Sequence, residues 1–365
     1  MAKLAIIGAS GKLGGATLSA LLTHKLAPPS DVIALTSSTP ESQTWAKLAT
    51  TGVQVRHARF EDAATLENAL RGVERLFLIS TPNIALDFGV AMDYDGTAST
   101  TTTTTTTGDA EQARGRESHH KNAIDAAVKA GVRWIVYSSL AFGFSPRGDR
   151  GVSKAGVMRA HLRTEAYLRS TSATHGVHVT ILREGLYNES WPLYLGYFDA
   201  ENAQGERDVV PLAGDGKICW TAIHDLGVAS ALVLSSGGLK SEAGDNGVNE
   251  FVGKTFYLST RPETAKTVGE IAQLVGEARG KDVRVKTVGR QEHERYYVEE
   301  RGMPKPAVEW WVSTYEALED GECLVDDPML ESLLGRVGLK PIPVEETVFS
   351  MVKGQEGWKN RQQQP

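Results

Sequence analysis

The sequence predicts an α/β fold, a doubly wound parallel sheet with helices on both faces and a smaller C-terminal lobe interleaved with it. Three observations carry this. Short apolar runs recur at 4–7, 32–36, 75–80, 132–139 and 180–183, as expected of parallel strands covered on both sides. Segments with helical spacing separate them, the pattern of successive β-α units. The first run leads straight into Gly8, Gly11 and Gly14, and a helical pattern continues through Leu18, Leu21 and Leu22.

That strand, glycine turn and helix suit a dinucleotide. Gly8 can take the turn, Gly11 lets the backbone approach a pyrophosphate, and Gly14 allows the helix to pack closely on the strand. The helix N-terminus then offers N–H groups and a positive dipole end to the phosphates. Gly8, Ser10, Gly11, Lys12, Leu13 and Gly14 are the candidate contacts. The spacing is GxxGxxG, and its placement between a buried strand and a helix is what makes it specific.

The formal charge of -6 argues against a nucleic-acid-binding surface as the main business. Cys219 and Cys323 are the only cysteines, which give neither a disulfide framework nor a zinc-ligand spacing and are expected as small buried side chains. No apolar run approaches the roughly 18 residues of a membrane span. With no signal peptide read at the start, a cytoplasmic chain is expected. The expected partner is a small-molecule substrate, with the chain a monomer or homodimer and neither nucleic acid nor membrane involved.

Taken in order, Val32–Thr36 is the second strand, and Thr36-Ser37-Ser38 stands at its end. An NAD-preferring fold places a carboxylate there. Its absence, the hydroxyls and Lys12 favour NADP(H), with NAD(H) also admissible; Ser37 and Ser38 equally suit a helix cap. The third strand, 52–58, leads to Arg59 and Phe60, candidate adenine contacts. The fourth strand, 75–80, leads to Ser80, Thr81 and Pro82, which should border the cofactor's central part. Residues 83–115 break the pattern, and the threonine tract 100–107 is too polar and repetitive to pack a core, so an insertion around 93–115 is expected.

A helix over 123–130 leads to the fifth strand, 132–139, ending in Ser138 and Ser139. Adjacent His119 and His120 do not suit a metal, because neighbouring helical positions diverge and no acidic partner follows at ligand spacing. A helix over 153–170 carries His161, Thr164 and Glu165, and His161 and Glu165 share a face. The sixth strand leads to Glu184-Gly185-Leu186-Tyr187-Asn188-Glu189 at the sheet's carboxyl edge.

Together, G-A-S-G-K-L-G (8–14), L-F-L-I-S (76–80), the run from His119 through V-Y-S-S (119–139), H-L-R-T-E-A-Y-L-R-S (161–170), T-I-L-R-E-G-L-Y-N-E (180–189) and W-T-A-I-H-D-L-G-V-A (220–229) resemble the NmrA-like family of atypical short-chain dehydrogenase/reductases. Its quinone-oxidoreductase and triphenylmethane-reductase-like members are the nearest in pattern. The threonine-rich insertion and the region past Arg261 depart from it. The resemblance implies a Rossmann-type domain over 1–188, a substrate-binding lobe over 189–365, and nicotinamide near Ser138, Ser139, Gly185, Leu186 and Asn188.

The Tyr-x-x-x-Lys pair of typical short-chain reductases is missing, since Arg150 stands four residues before Lys154. His161 is the first candidate for a proton donor; it lies near where related isoflavone-reductase-like enzymes place a catalytic lysine, and imidazole suits neutral pH. Hydrogen bonding to Glu165 or a carbonyl is its structural alternative. Tyr187 is the second candidate, or else an aromatic pocket wall. The expected activity is hydride transfer to a small conjugated carbonyl, quinone-like or aromatic substrate, with secondary metabolism as one setting. A dinucleotide-sensing regulator without turnover and a cofactor-using isomerase or cyclase are the alternatives.

In the second lobe, Trp191, Tyr194, Tyr197 and Phe198 suit a flat apolar substrate or a core. Residues 208–216 read as a hairpin. Asp225 reads as a helix cap beside His224, and Thr267-x-x-Glu270 as a capping box.

Overall fold

The computed structural model describes residues 3–87, 115–145, 152–237 and 249–354; the threonine tract and the polar tail lie outside them. The strands are β1 Leu4–Ile7, β2 Val32–Thr36, β3 Gln54–His57, β4 Arg75–Leu78, β5 Trp134–Leu140, β6 His178–Glu184, β7 Val209–Leu212, β8 Thr255–Leu258 and β9 Arg284–Thr287. Seven of them form a parallel sheet in the order β3-β2-β1-β4-β5-β6-β8, and β7 pairs in parallel with β9 apart from it.

The helices before the lobe are α1 Lys12–Thr23, α2 Gln43–Ala49, α3 Ala63–Ala69, α4 Arg116–Lys129 and α5 Gly156–His175. Those after β6 are α6 Trp191–Tyr194, α7 Ile223–Ser235, α8 Val268–Arg279, α9 Arg290–Arg295, α10 Lys305–Glu319, α11 Met329–Gly335 and α12 Val344–Lys353. Successive strand side chains point to opposite faces. Leu4 and Ile6 therefore pack with α1, α7 and α11 through Leu18, Leu226 and Leu330. Ala5 and Ile7 pack with α3, α4 and α5 through Leu66, Ala123 and Leu168.

The lobe has its own core. Trp191, Leu212, Ile271, Trp311, Tyr315 and Val348 join α6, β7, α8, α10 and α12. The capping box that opens α8 is present in both directions between Thr267 and Glu270.

Four readings of the sequence are corrected. The helix expected over 123–130 begins at Arg116, so His119 and His120 lie inside it. Neither Ser37 nor Ser38 caps α2; Ser42 does, accepting from the Trp45 N–H. Residues 208–216 are no hairpin, because β7 finds its partner in β9. Asp225 does not cap α7 but accepts the Ile342 N–H at 2.7 Å, while the Glu189 carboxylate meets the Ile223 N–H at 3.1 Å. No described helix is long and apolar enough to cross a membrane.

Candidate active site

The glycine turn connects β1 to α1. Gly8 sits at φ 75°, a conformation that disfavours any side chain. A Cβ on Gly11 would lie 3.2 Å from the Gly8 carbonyl oxygen and one on Gly14 only 2.2 Å from it, so the helix rests directly on the turn. No side chain caps α1 at Gly11, which leaves its first N–H groups without intrahelical acceptors. Ser10, Gly11 and Lys12 are exposed there, whereas the Leu13 side chain is buried in the sheet core. This cradle fits a pyrophosphate.

Across from the turn, Thr36 is buried and its hydroxyl lies 3.2 Å from Ser10 Oγ while accepting the Ser38 N–H at 3.2 Å. Thr36 thus ties the turn to the end of β2, leaving exposed Ser37, half-buried Ser38 and Lys12 to face a ligand. Arg59 is exposed beside Glu61, and Phe60 stacks one face on His119 with centroids 6.0 Å apart. A groove of about 390 Å³ runs between α1 and α7, and of the expected cofactor contacts only Lys12 lines it.

Beyond β4, exposed Pro82 follows Thr81, whose buried N–H donates to His120 Nε2 at 3.2 Å and whose hydroxyl lies 3.4 Å from His119 Nδ1. Ser80 Oγ is buried with no partner among the described residues. At the end of β5 the alternation splits the side chains. Tyr137 and Ser139 point toward α5, and the Ser139 hydroxyl donates to Glu165 at 2.7 Å. Glu165 also receives Arg183 Nε at 3.0 Å and Nη2 at 2.8 Å, a buried two-pronged pair. Ser139, expected near nicotinamide, is held by that pair instead.

His161 is corrected as a proton donor. Its Nε2 faces the Arg116 guanidinium at 3.0 Å, and because guanidinium only donates, that nitrogen must accept. Its Nδ1 is then the protonated nitrogen and donates to Tyr137 Oη at 2.9 Å. Burial, reinforced by Arg116, holds the imidazole neutral well below its usual range. Its ring nitrogens are thus held structurally, by Arg116 and Tyr137 rather than by Glu165 or a backbone carbonyl. His120 is likewise neutral: Nε2 accepts from Thr81 and Nδ1 meets Thr164 Oγ1 at 2.8 Å, with burial pushing its pKa down.

On the opposite face of the sheet, Glu184 at the end of β6 is fully buried. Its Oε2 accepts the Tyr187 hydroxyl at 2.9 Å, and its Oε1 has no partner among the described residues. Burial raises this carboxyl to about 8, with hydrogen bonds from Tyr187 and Ser138 drawing it partly back. Sequence reading missed Glu184, along with Arg116 and Tyr137. The available signal was a carboxyl residue directly abutting an apolar strand and Gly185.

Tyr187 is half-buried and acts as donor to that carboxyl. Gly185 is required by packing, since a Cβ would meet Thr221 Oγ1 at 2.3 Å. Two expected cofactor contacts are engaged elsewhere. Leu186 is buried in the lobe core, and the Asn188 amide donates to Ile342 O at 3.2 Å and Thr347 Oγ1 at 3.1 Å. Trp191, Tyr194 and Phe198 are core rather than pocket wall, and only Tyr197 is exposed. Lys154 pairs with Asp320 at 2.6 Å. Both cysteines are buried, and burial pushes the Cys219 thiol up to about 12.

The NmrA-like family model matches residues 1–320, so the family pattern continues past Arg261, where the sequence had seemed to leave it. An NmrA-like family domain-containing oxidoreductase of Aspergillus flavus is 30% identical over 353 residues, covering 95% of this chain and 94% of that protein. Quinone oxidoreductase 2 of Escherichia coli is 31% identical over 260 residues, 71% of each chain. The structure of that NADPH-dependent enzyme with NADPH superposes with a TM-score of 0.67 at 27% identity, over 94% of this chain and 98% of the other. Triphenylmethane reductase of Citrobacter sp. with NADP(H) gives 0.65 at 26% identity, over 97% and 99%.

Proposed function

This chain belongs to the NmrA-like family, and from that membership we propose that it is an NADP(H)-dependent reductase of flat conjugated acceptors, quinone-like carbonyls foremost. The observation that carries the cofactor is the uncapped start of α1, whose Gly14 lies too close to the turn to admit a Cβ, opposite a strand end that lacks a carboxylate. When bound, the nicotinamide supplies a hydride. The chain supplies the rest. The first-turn N–H groups hold the pyrophosphate, and Ser37, Ser38 and Lys12 face the 2′-phosphate. The ends of β5 and β6 form the floor where the acceptor lies. The acceptor class is supported by the relatives, one named for quinones and one for triphenylmethane dyes.

Titration of NADPH and NADH by fluorescence, followed by absorbance of the reduced nicotinamide with quinones and enones, tests this reading. NADPH should bind more tightly and be oxidised. Lys12→Ala should weaken NADPH about tenfold, about 1.4 kcal/mol, and leave NADH nearly unchanged. Binding with no oxidation across the panel would favour a dinucleotide sensor or an isomerase.

A further inference from the structure

We infer that Glu184 is the proton donor of the reduction, carrying its proton on Oε1 and delivering it to the oxygen of a neutral conjugated carbonyl. The inference rests on the reductase reading above. Its geometry is specific. Glu184 Oε2 is occupied by the Tyr187 hydroxyl, whereas Oε1 is buried and unpartnered among the described residues. A buried carboxylate would leave Oε1 as an unmatched charge, and a carboxylic acid turns that atom into a directed O–H donor. Among the described residues no lysine or arginine bonds this carboxyl and no ion pair involves it. The groups that act on it are the Tyr187 and Ser138 hydroxyls, with Tyr137 across the sheet, and Tyr187 is in turn influenced by Glu189.

The position fits the need. Glu184 pairs in register with Leu140, at the carboxyl edge where open α/β sheets bind ligands, and Ser138 and Tyr187 lie beside it. The reaction balances with one hydride and one proton. The acceptor carbon gains a C–H bond from the hydride, the carbonyl π electrons move to oxygen, and that oxygen forms an O–H bond as the Glu184 O–H breaks. Glu184 is left as a carboxylate, which the Tyr187 hydroxyl stabilises by its hydrogen bond until water returns the proton. This arrangement selects neutral acceptors that need a proton. A cationic acceptor, which takes hydride alone, has no need of this proton.

The test combines infrared difference spectroscopy across pH on the protein without added cofactor with NADPH titration and the pH profile of kcat/KM for a quinone. A protonated-carboxyl band should persist at neutral pH, disappear above about pH 8 and be absent from Glu184→Gln. The same variant should bind NADPH as the parent does, lose roughly 10²- to 10⁴-fold in rate, and lack the alkaline limb. Tyr187→Phe, which removes a bond that lowers the carboxyl pKa, should move the alkaline limb to higher pH. A band that survives Glu184→Gln, an unchanged rate in that variant, or a limb unmoved in Tyr187→Phe would overturn the assignment while leaving the reductase reading intact. Failure of the parent to bind NADPH would bring down both.

Discussion

Replacing Gly14 by alanine would drive a methyl carbon to 2.2 Å from the Gly8 carbonyl oxygen, 2.8 Å from its carbonyl carbon and 2.9 Å from Ala9 Cα. All three are backbone atoms, so no rotamer change relieves the clash and the turn must shift. The next residue provides a control. A Cβ on Gly15 meets only the Ala9 carbonyl oxygen, at an ordinary 3.7 Å. Overpacking costs about 1–3 kcal/mol, whereas glycine to alanine inside a helix gains about 0.5–1 kcal/mol. Gly14→Ala should therefore lose about 1–2 kcal/mol and Gly15→Ala should gain up to about 1 kcal/mol. Because the shifted turn carries the phosphate-facing N–H groups, Gly14→Ala should also weaken NADPH at least about tenfold, about 1.4 kcal/mol. Urea midpoints and fluorescence titration of the two variants measure both effects. If Gly14→Ala matches Gly15→Ala in stability and affinity, the close approach of helix and turn is not what shapes the site.

Two further predictions follow from buried charge. Glu165→Ala leaves the Arg183 guanidinium buried without its carboxylate and should cost about 3–5 kcal/mol, whereas Glu165→Met with Arg183→Met should recover most of it; urea denaturation showing a single-variant loss below about 1 kcal/mol would refute the pairing. His293 is fully buried among Tyr297, Trp311 and Tyr315 with both ring nitrogens unpartnered among the described residues, and burial, aided by Arg290, lowers its pKa to about 4. The unfolded chain takes up this proton from about pH 6.5 downward while the folded chain resists until about 4, so stability drains away through that window, by up to about 3 kcal/mol. His293→Phe should remove that loss, and equal acid sensitivity of the two proteins in thermal melts would count against the burial argument.

How legible each part was in the sequence follows from how local its causes are. The β1 turn and α1 could be read because apolar runs and glycine spacing act within one short segment. The start of α4 could not, since Arg116 to Lys121 offers few apolar residues to set a helical period, and its buried polar face is matched by Thr81, Tyr137, His161 and Thr164 from elsewhere. The strand at 209–212 looked like half of a hairpin because its partner, 284–287, lies far along the chain. His161 looked like an acid because imidazole alone titrates near neutrality; Arg116, which fixes it as an acceptor, is 45 residues away in sequence. Glu184 could be placed at the sheet's carboxyl edge but not singled out, because nothing in the order of residues reveals its full burial or the Tyr187 hydroxyl that bonds it.

The seat of β8 beside β6 has a consequence for synthesis. The ribosome makes six strands of the large sheet by residue 184, then adds the segment containing α6, β7 and α7 before β8 at 255–258. At about 5–20 residues per second that interval lasts on the order of several seconds. Throughout it, the nascent chain carries the β6 edge unpaired, next to the strand end that holds Glu184. Unpaired strand edges invite association with other chains. Slowed elongation between the codons for residues 184 and 258 should therefore raise aggregation more than the same delay placed after β8, which ties the yield of this enzyme to the speed at which its own middle is translated.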